Sequence, residues 1–164
     1  TRKESSAASD VYKRQERRII IMGKISVVYW SQSGNTLAMA EAIGKGITDG
    51  GAQAEVVNVS SCQVSDLDTE EVFALGCPAM GAEVLEESEM EPFVAELEGN
   101  VKGKKIALFG SYGWGDGQWM RDWEERMTSA GATVVNGEGL ICQEAPDGDV
   151  ISECESLGKQ LAGM

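Results

Sequence analysis

Ser31, Gln32, Ser33, Gly34, Asn35 and Thr36 set hydroxyl and amide side chains around one glycine, directly after the apolar run Ile25 to Trp30 and directly before an alanine-rich stretch, Leu37 to Ile47. This arrangement can hold a small anion. Gly34 allows a tight turn with backbone N–H groups directed inward, and a helix starting near Thr36 adds unpaired N–H groups and a positive dipole end. Ser31, Ser33 and Thr36 can donate hydroxyl protons. The loop contains no Lys or Arg, lacks the G-x-x-x-x-G-K-[ST] spacing of a nucleoside triphosphate site and lacks the G-x-G-x-x-G of a dinucleotide site. It therefore suits one terminal phosphate held by neutral donors. An ordinary strand-to-helix turn with a serine N-cap would use the same residues.

Two further segments carry unusual chemistry. Cys77 to Glu83 runs through Pro78, Ala79, Met80, Gly81 and Ala82, with a polarisable thioether beside a glycine and an acid at the end. Ser111 to Asp116 carries Tyr112 and Trp114 on a backbone loosened by Gly113 and Gly115. A phosphate cradle at one end and apolar, aromatic side chains at the other describe the requirements of FMN. The chain has no histidine, and its four cysteines, Cys62, Cys77, Cys142 and Cys154, form no C-x-x-C pair. Zinc sites, histidine acid–base catalysis and Ser/His or Cys/His nucleophiles are thereby excluded.

The elements that must position these segments follow from periodicity. After the helix Leu37 to Ile47, Gly50-Gly51 marks its end and Ala54 to Val59 reads as an edge strand. Val72 to Gly76 and Lys104 to Gly110 are near-continuous apolar runs, as expected of parallel strands covered on both faces. Helices are predicted around Glu91 to Leu97, from Gln118 to Ala130 and from Val150 to Leu161, and a last strand in Thr133 to Val135 that resumes near Leu140 to Cys142. Five strands alternating with helices predict a doubly wound α/β sandwich. In such a sheet the ligand lies beyond the carboxyl ends of the strands, which is where all three segments sit. Trp119 and Trp123, four apart, are read as packing residues, and the acidic run Glu83 to Glu91 as a solvated helix start.

The 164 residues fit one domain. Residues 1–21 read as foreign to it: Asp10-Val11-Tyr12-Lys13-Arg14-Gln15 resembles a translated sequencing-library adaptor, and Met22-Gly23-Lys24 is a natural start. That segment holds six basic and three acidic residues, so 22–164 carries a net charge of −16 out of −13 for the whole chain. Such acidity argues against nucleic acid or anionic membranes as partners and for basic protein surfaces. Apolar runs of strand length only, and cysteines expected as free thiols, place the protein in the cytoplasm on this reading.

From Met22 onward the chain resembles the short-chain flavodoxins of the clostridial kind. Three motifs carry the resemblance: Tyr29-Trp30-Ser31-Gln32-Ser33-Gly34-Asn35-Thr36, Gly76-Cys77-Pro78-Ala79-Met80-Gly81-Ala82-Glu83-Val84-Leu85-Glu86, and Phe109-Gly110-Ser111-Tyr112-Gly113-Trp114-Gly115-Asp116-Gly117. The resemblance implies a five-stranded parallel sheet of order 2-1-3-4-5, non-covalent FMN and one-electron transfer between proteins. It implies that Ser31, Ser33, Gly34, Asn35 and Thr36 hold the phosphate and that Met80 and Trp114 pack on opposite faces of the ring system. It further implies that the Gly81–Ala82 peptide faces the flavin N5 and Glu83 the N3 edge. Many relatives have Asp or another polar residue in place of Ala82, which implies altered charge beside N5, and Pro78 stands where some have a serine.

The expected function is a low-potential electron carrier without substrate turnover, serving ferredoxin-type reductases and oxidoreductases as a monomer. Adding negative charge near one carboxylate about 10 Å away costs about 0.4 to 1.7 kcal/mol, so a strongly acidic protein favours low potentials. An FMN-dependent quinone or nitro reductase on the same fold would need a substrate pocket and a nicotinamide site, for which the chain has no long insertion. A phosphate-responsive receiver domain would need an aspartate where Gly76-Cys77-Pro78 stands.

Overall fold

Alternation of buried apolar runs with amphipathic stretches produces the sequence β1 (Lys24–Tyr29), α1 (Asn35–Asp49), β2 (Gln53–Asn58), β3 (Val72–Gly76), α2 (Met90–Leu97), β4 (Lys105–Tyr112), α3 (Gln118–Ser129), β5 (Thr133–Val134), β6 (Leu140–Gln143) and α4 (Gly148–Ala162). The computed structural model describes residues 23–164, and the reading of 1–21 as an extension lies outside them. All strand pairs of the sheet are parallel in the order β2-β1-β3-β4-β5, with β6 also on β4, as the predicted 2-1-3-4-5 order requires. Val27, Val28, Phe73, Ala74, Leu75 and Ile106 through Phe109 are essentially without solvent contact, because helices cover both faces. One face packs under α2 and α3 with Phe93, Trp119 and Trp123, the other under α1 and α4 with Met39, Ile43 and Leu161. Both tryptophans at the four-residue spacing are core.

The fifth strand is split, as the sequence pattern indicates. Pairing to β4 runs through Ile106↔Val134 and resumes at Phe109↔Leu140, while Val135–Gly137 turns outward through Asn136 at φ 65°. Resumption carries β6 to the carboxyl end of β4, where Ser111 pairs with Cys142 and Tyr112 with Gln143. The chain after β6 is thereby delivered beside the Tyr112 loop.

The acidic run before α2 differs from its reading as a solvated helix start. Residues 77–89 form a loop, and Glu86 is buried. Its carboxylate accepts from the N–H groups of Ser88, Glu89 and Met90 at 2.7 to 3.0 Å and from the Ser88 hydroxyl, which satisfies the first N–H groups of α2. Burial pushes this carboxyl up, but the hydrogen bonds from Ser88, Met90 and Glu89 outweigh it and hold it below the usual carboxylate range. The favourable acid at the helix N-terminus is present, yet it is internal because the loop folds back over Cys77, whose thiol accepts from Glu86 N–H at 3.4 Å. No helix among the described residues is long and apolar enough to cross a membrane.

Candidate functional site

The loop after β1 turns tightly into α1. Gly34 takes φ 93° and ψ −4°, a left-handed conformation open to glycine at little cost, immediately before α1. Ser31 Oγ accepts from Gly34 N–H at 3.2 Å and Leu37 N–H at 3.3 Å, so the oxygen braces the turn and leaves the hydroxyl proton to donate. The N–H groups of Ser33, Asn35 and Thr36 have no partner among the described residues, and α1 has neither a side-chain cap nor an acid in its first turn. Gln32 and Ser33 are exposed and Gly34 and Asn35 half-buried. Thr36 lies deeper: its hydroxyl is buried against that of Ser111, 3.3 Å away, tying the cradle to the end of β4.

The loop after β3 is a tight reversal. Met80 and Val84 exchange both backbone hydrogen bonds at 2.9 Å, which leaves Gly81, Ala82 and Glu83 at the tip. Gly81 has φ 50° and Glu83 φ 55°, and the Gly81–Ala82 peptide is exposed. Glu83 does more than point outward. Its Oε1 accepts from the N–H groups of Asp116, Gly117 and Gln118 at 3.2 to 3.3 Å, occupying the N-terminus of α3 and joining this loop to the one after β4. On that second loop Trp114 is 66% exposed, by far the most exposed aromatic residue described, while Tyr112 is half-buried against Trp119 with ring centres 5.6 Å apart. Trp119 in turn donates its indole N–H to Cys77 O at 3.0 Å and fixes the start of the Pro78–Ala79–Met80 segment. Asp116 is held outside by Arg121 at 2.9 Å.

Between these loops runs a groove of about 220 Å³. From the cradle it is lined by Gln32, Ser33 and Asn35, from the second loop by Pro78, Ala79 and Met80, and from the third by Ser111, Tyr112 and Gly113. Trp114, Gly115, Gly81 and Ala82 form no part of that lining and are exposed. A fourth loop, missed at the sequence level, contributes Glu144, which follows β6 at φ 59°. Its only local signal was its place after the resumed fifth strand. A larger cleft of about 390 Å³ opens beside Ala107 and Leu108, where Val135 to Gly139 leaves β4. It lies mid-strand and arises from that detour; the smaller groove is where donors and apolar side chains converge, and chemistry outweighs size.

The residues present fit FMN. Unpartnered N–H groups at a helix start suit a phosphate dianion without a cation, and an exposed tryptophan on a loop joined through Glu83 to the thioether-bearing one offers apolar cover to a flat ring. At about 220 Å³ the groove is too small to enclose such a ligand, so part of it would face solvent. No cluster of potential metal ligands exists among the described residues.

Comparison with known proteins agrees. A family model described as Flavodoxin matches residues 27–157. The flavodoxin of Clostridium beijerinckii is 51% identical over 140 residues, 85% of this chain and 100% of that protein. The flavodoxin of Megasphaera elsdenii is 46% identical, over 84% of this chain and 98% of its own. The solution structure of the two-electron reduced Megasphaera protein superposes with a TM-score of 0.76 over 85% of this chain and 99% of that one.

Proposed function

The chain belongs to the flavodoxin family, an FMN-dependent electron carrier and not an enzyme, and from that premise we propose how its own residues hold the cofactor and meet its partners. Ser33, Asn35 and Thr36 N–H groups, with the Ser31 and Ser33 hydroxyls, receive the phosphate; Gln32 and Gly34 shape the turn around it. Pro78, Ala79, Ser111 and Gly113 line the middle of the groove. Met80 and Trp114 cover the two faces of the ring system, with Tyr112, Gly115 and Asp116 supporting the Trp114 side. The observation that carries this reading is the convergence of the three loops on one groove at the carboxyl ends of β1, β3 and β4.

FMN, when bound, takes up and gives up electrons one at a time, with proton exchange at N5. The cradle neutralises phosphate charge with dipoles alone, so no fixed cation raises the potential. Met80 and Trp114 exclude water from the ring faces. The Gly81–Ala82 peptide can present either its N–H or its C=O toward N5 by rotating at Gly81, and Ala82 adds no charge there. Glu83, whose Oε1 is engaged by α3, keeps Oε2 for the N3 edge.

Redox partners with basic surfaces, of the kind that also accept ferredoxin, fit the net charge of −16 on residues 22–164. The domain begins at Met22, acts as a monomer and works in the cytoplasm on the same reading. An absorption spectrum of the purified protein tests the cofactor: a flavin spectrum released as FMN is expected, and a colourless protein that binds no added FMN refutes it. Electron transfer to a basic reductase is expected to slow steeply as salt rises, and a rate independent of ionic strength refutes the acidic docking surface. Steady-state oxidation of NADH by the protein alone would favour the reductase alternative.

A further inference from the structure

The cleft of about 390 Å³ beside Ala107 and Leu108 shares no lining residue with the FMN groove, and the electron-carrier reading gives it no role. Backbone alternation along β4 shows what its floor offers. Lys105 N–H donates to Glu71 O at 2.8 Å and Phe109 O accepts from Cys77 N–H at 3.1 Å, both on the β3 side, so Leu108 turns its N–H and C=O to the opposite edge. There β5 stops opposite Ile106 and β6 starts opposite Phe109; the Leu108 N–H faces the detour of 135–139 and has no acceptor among the described residues. Leu108 is 1% exposed and its side chain packs under α2 and α3 on the other face, so what it adds to the cleft is a buried backbone donor without a partner. The detour is pinned rather than free to close on it: Asn136 and Gln160 exchange side-chain hydrogen bonds at 3.1 and 2.7 Å, and Gly139 N–H donates to Glu124 Oε2 at 2.8 Å.

The walls carry charge of one sign. Glu138 and Glu153 line the cleft, neither forms an ion pair among the described residues, and no Lys or Arg lines it. Leu140 and Leu157 add apolar surface. The two carboxylates repel an anion, and a purely apolar ligand would leave the Leu108 N–H unpaired. We propose that this cleft is a second binding site, for a small organic cation that also carries a carbonyl group. The carbonyl accepts from Leu108 N–H, the ammonium meets Glu138 and Glu153, and the carbon chain joining them covers Leu140 and Leu157. The cleft volume falls within the range of small-molecule sites, and the split of the fifth strand is what opens it.

The test titrates the protein as purified, in its oxidised form, with 5-aminopentanamide, and with pentanamide and 5-amino-5-oxopentanoate as the neutral and anionic counterparts. Backbone amide resonances are followed by NMR for the wild type and for the double variant Glu138→Gln, Glu153→Gln. Both substituted side chains are exposed and unpaired, so the variant keeps the fold, which thermal melting checks. Expected with the cationic probe is a saturable shift of the Leu108 amide in the wild type and an affinity about tenfold lower in the double variant. Pentanamide is expected to bind the wild type as weakly as the cation binds the double variant, and the anion to give no saturable shift. A Leu108 amide that does not move, equal affinity for the cationic and neutral probes, or equal affinity of wild type and double variant for the cation overturns the proposal. A change in the flavin absorption band without the Leu108 shift would put the probe in the FMN groove and overturn it as well.

Discussion

Gly115 leaves open the space through which the carboxylate of Glu83 passes: a Cβ built on Gly115 would overlap Glu83 Oε1. Residues 32 positions apart thus fit together so that a side chain from the loop after β3 can cap the helix after β4. The spacing of the two loops depends on that contact. Glu83→Ala is expected to destabilise the apo-protein by about 1 to 2 kcal/mol, the worth of a helix cap plus a charge at the dipole end, and to weaken FMN binding as the loops separate. Gly115→Ala should mimic both effects through the overlap. Urea unfolding and flavin titration check this, and wild-type values in both would remove Glu83 from its bridging role.

Trp114, 66% exposed, is the residue proposed above to lie against the ring system. Trp114→Ala is expected to weaken FMN binding by about 1 to 3 kcal/mol while leaving apo-protein stability within about 0.5 kcal/mol, since the residue contributes little buried area to the fold. Fluorescence titration reads the first and thermal melting the second.

The peptide after Gly81 is the one proposed above to face N5, and its conformational freedom rests on Gly81. Its Cβ position is unobstructed, so any penalty on substitution comes from the backbone conformation at φ 50° and not from a clash. If the Gly81 carbonyl accepts a hydrogen bond from N5 chiefly in the one-electron-reduced state, as proposed, that bond would push the two one-electron potentials apart. Gly81→Thr raises the cost of the rotated peptide by about 1 to 3 kcal/mol. The expected result in a redox titration is a narrower gap between the two midpoint potentials with FMN still bound, and an unchanged gap would remove the peptide from that role.

Two buried carboxyls give opposite pH dependences. Glu86, net lowered by the hydrogen bonds from α2, contributes stability that is present above the ordinary carboxylate pKa and lost as pH falls through its lower folded value. Glu70, raised by burial although Ser26 N–H and Oγ donate to it at 2.6 Å, contributes stability that is present at low pH and lost as pH rises through its higher folded value. Unfolding measured between pH 3 and 7 should therefore show Glu86→Gln losing more against the wild type as pH rises, and Glu70→Gln gaining on it over the upper part of that range. Parallel curves for the two variants would contradict the assignment.

The local sequence determined the elements and the places where ligand-binding loops leave them. Strand and helix periods depend on which residues must be covered within a few positions, so Val27 to Trp30, Phe73 to Gly76 and Ile106 to Gly110 announced buried parallel strands, and the split after Val135 showed as an interruption in the last one. The polar turn around Gly34 announced its unpaired N–H groups, because those follow from one glycine and the helix start behind it. The pairings across the sheet were decided elsewhere. That Thr36 turns its hydroxyl to Ser111 instead of outward, that Glu83 caps α3, that Glu86 is internal and that Glu144 enters the groove depend on register between strands far apart in the chain and on left-handed backbone at two acids. A side chain's local sequence sets what it can accept or donate; only tertiary packing sets which donor stands within 3.3 Å of it, because that distance is fixed by how neighbouring strands and helices stack and not by the residues on either side.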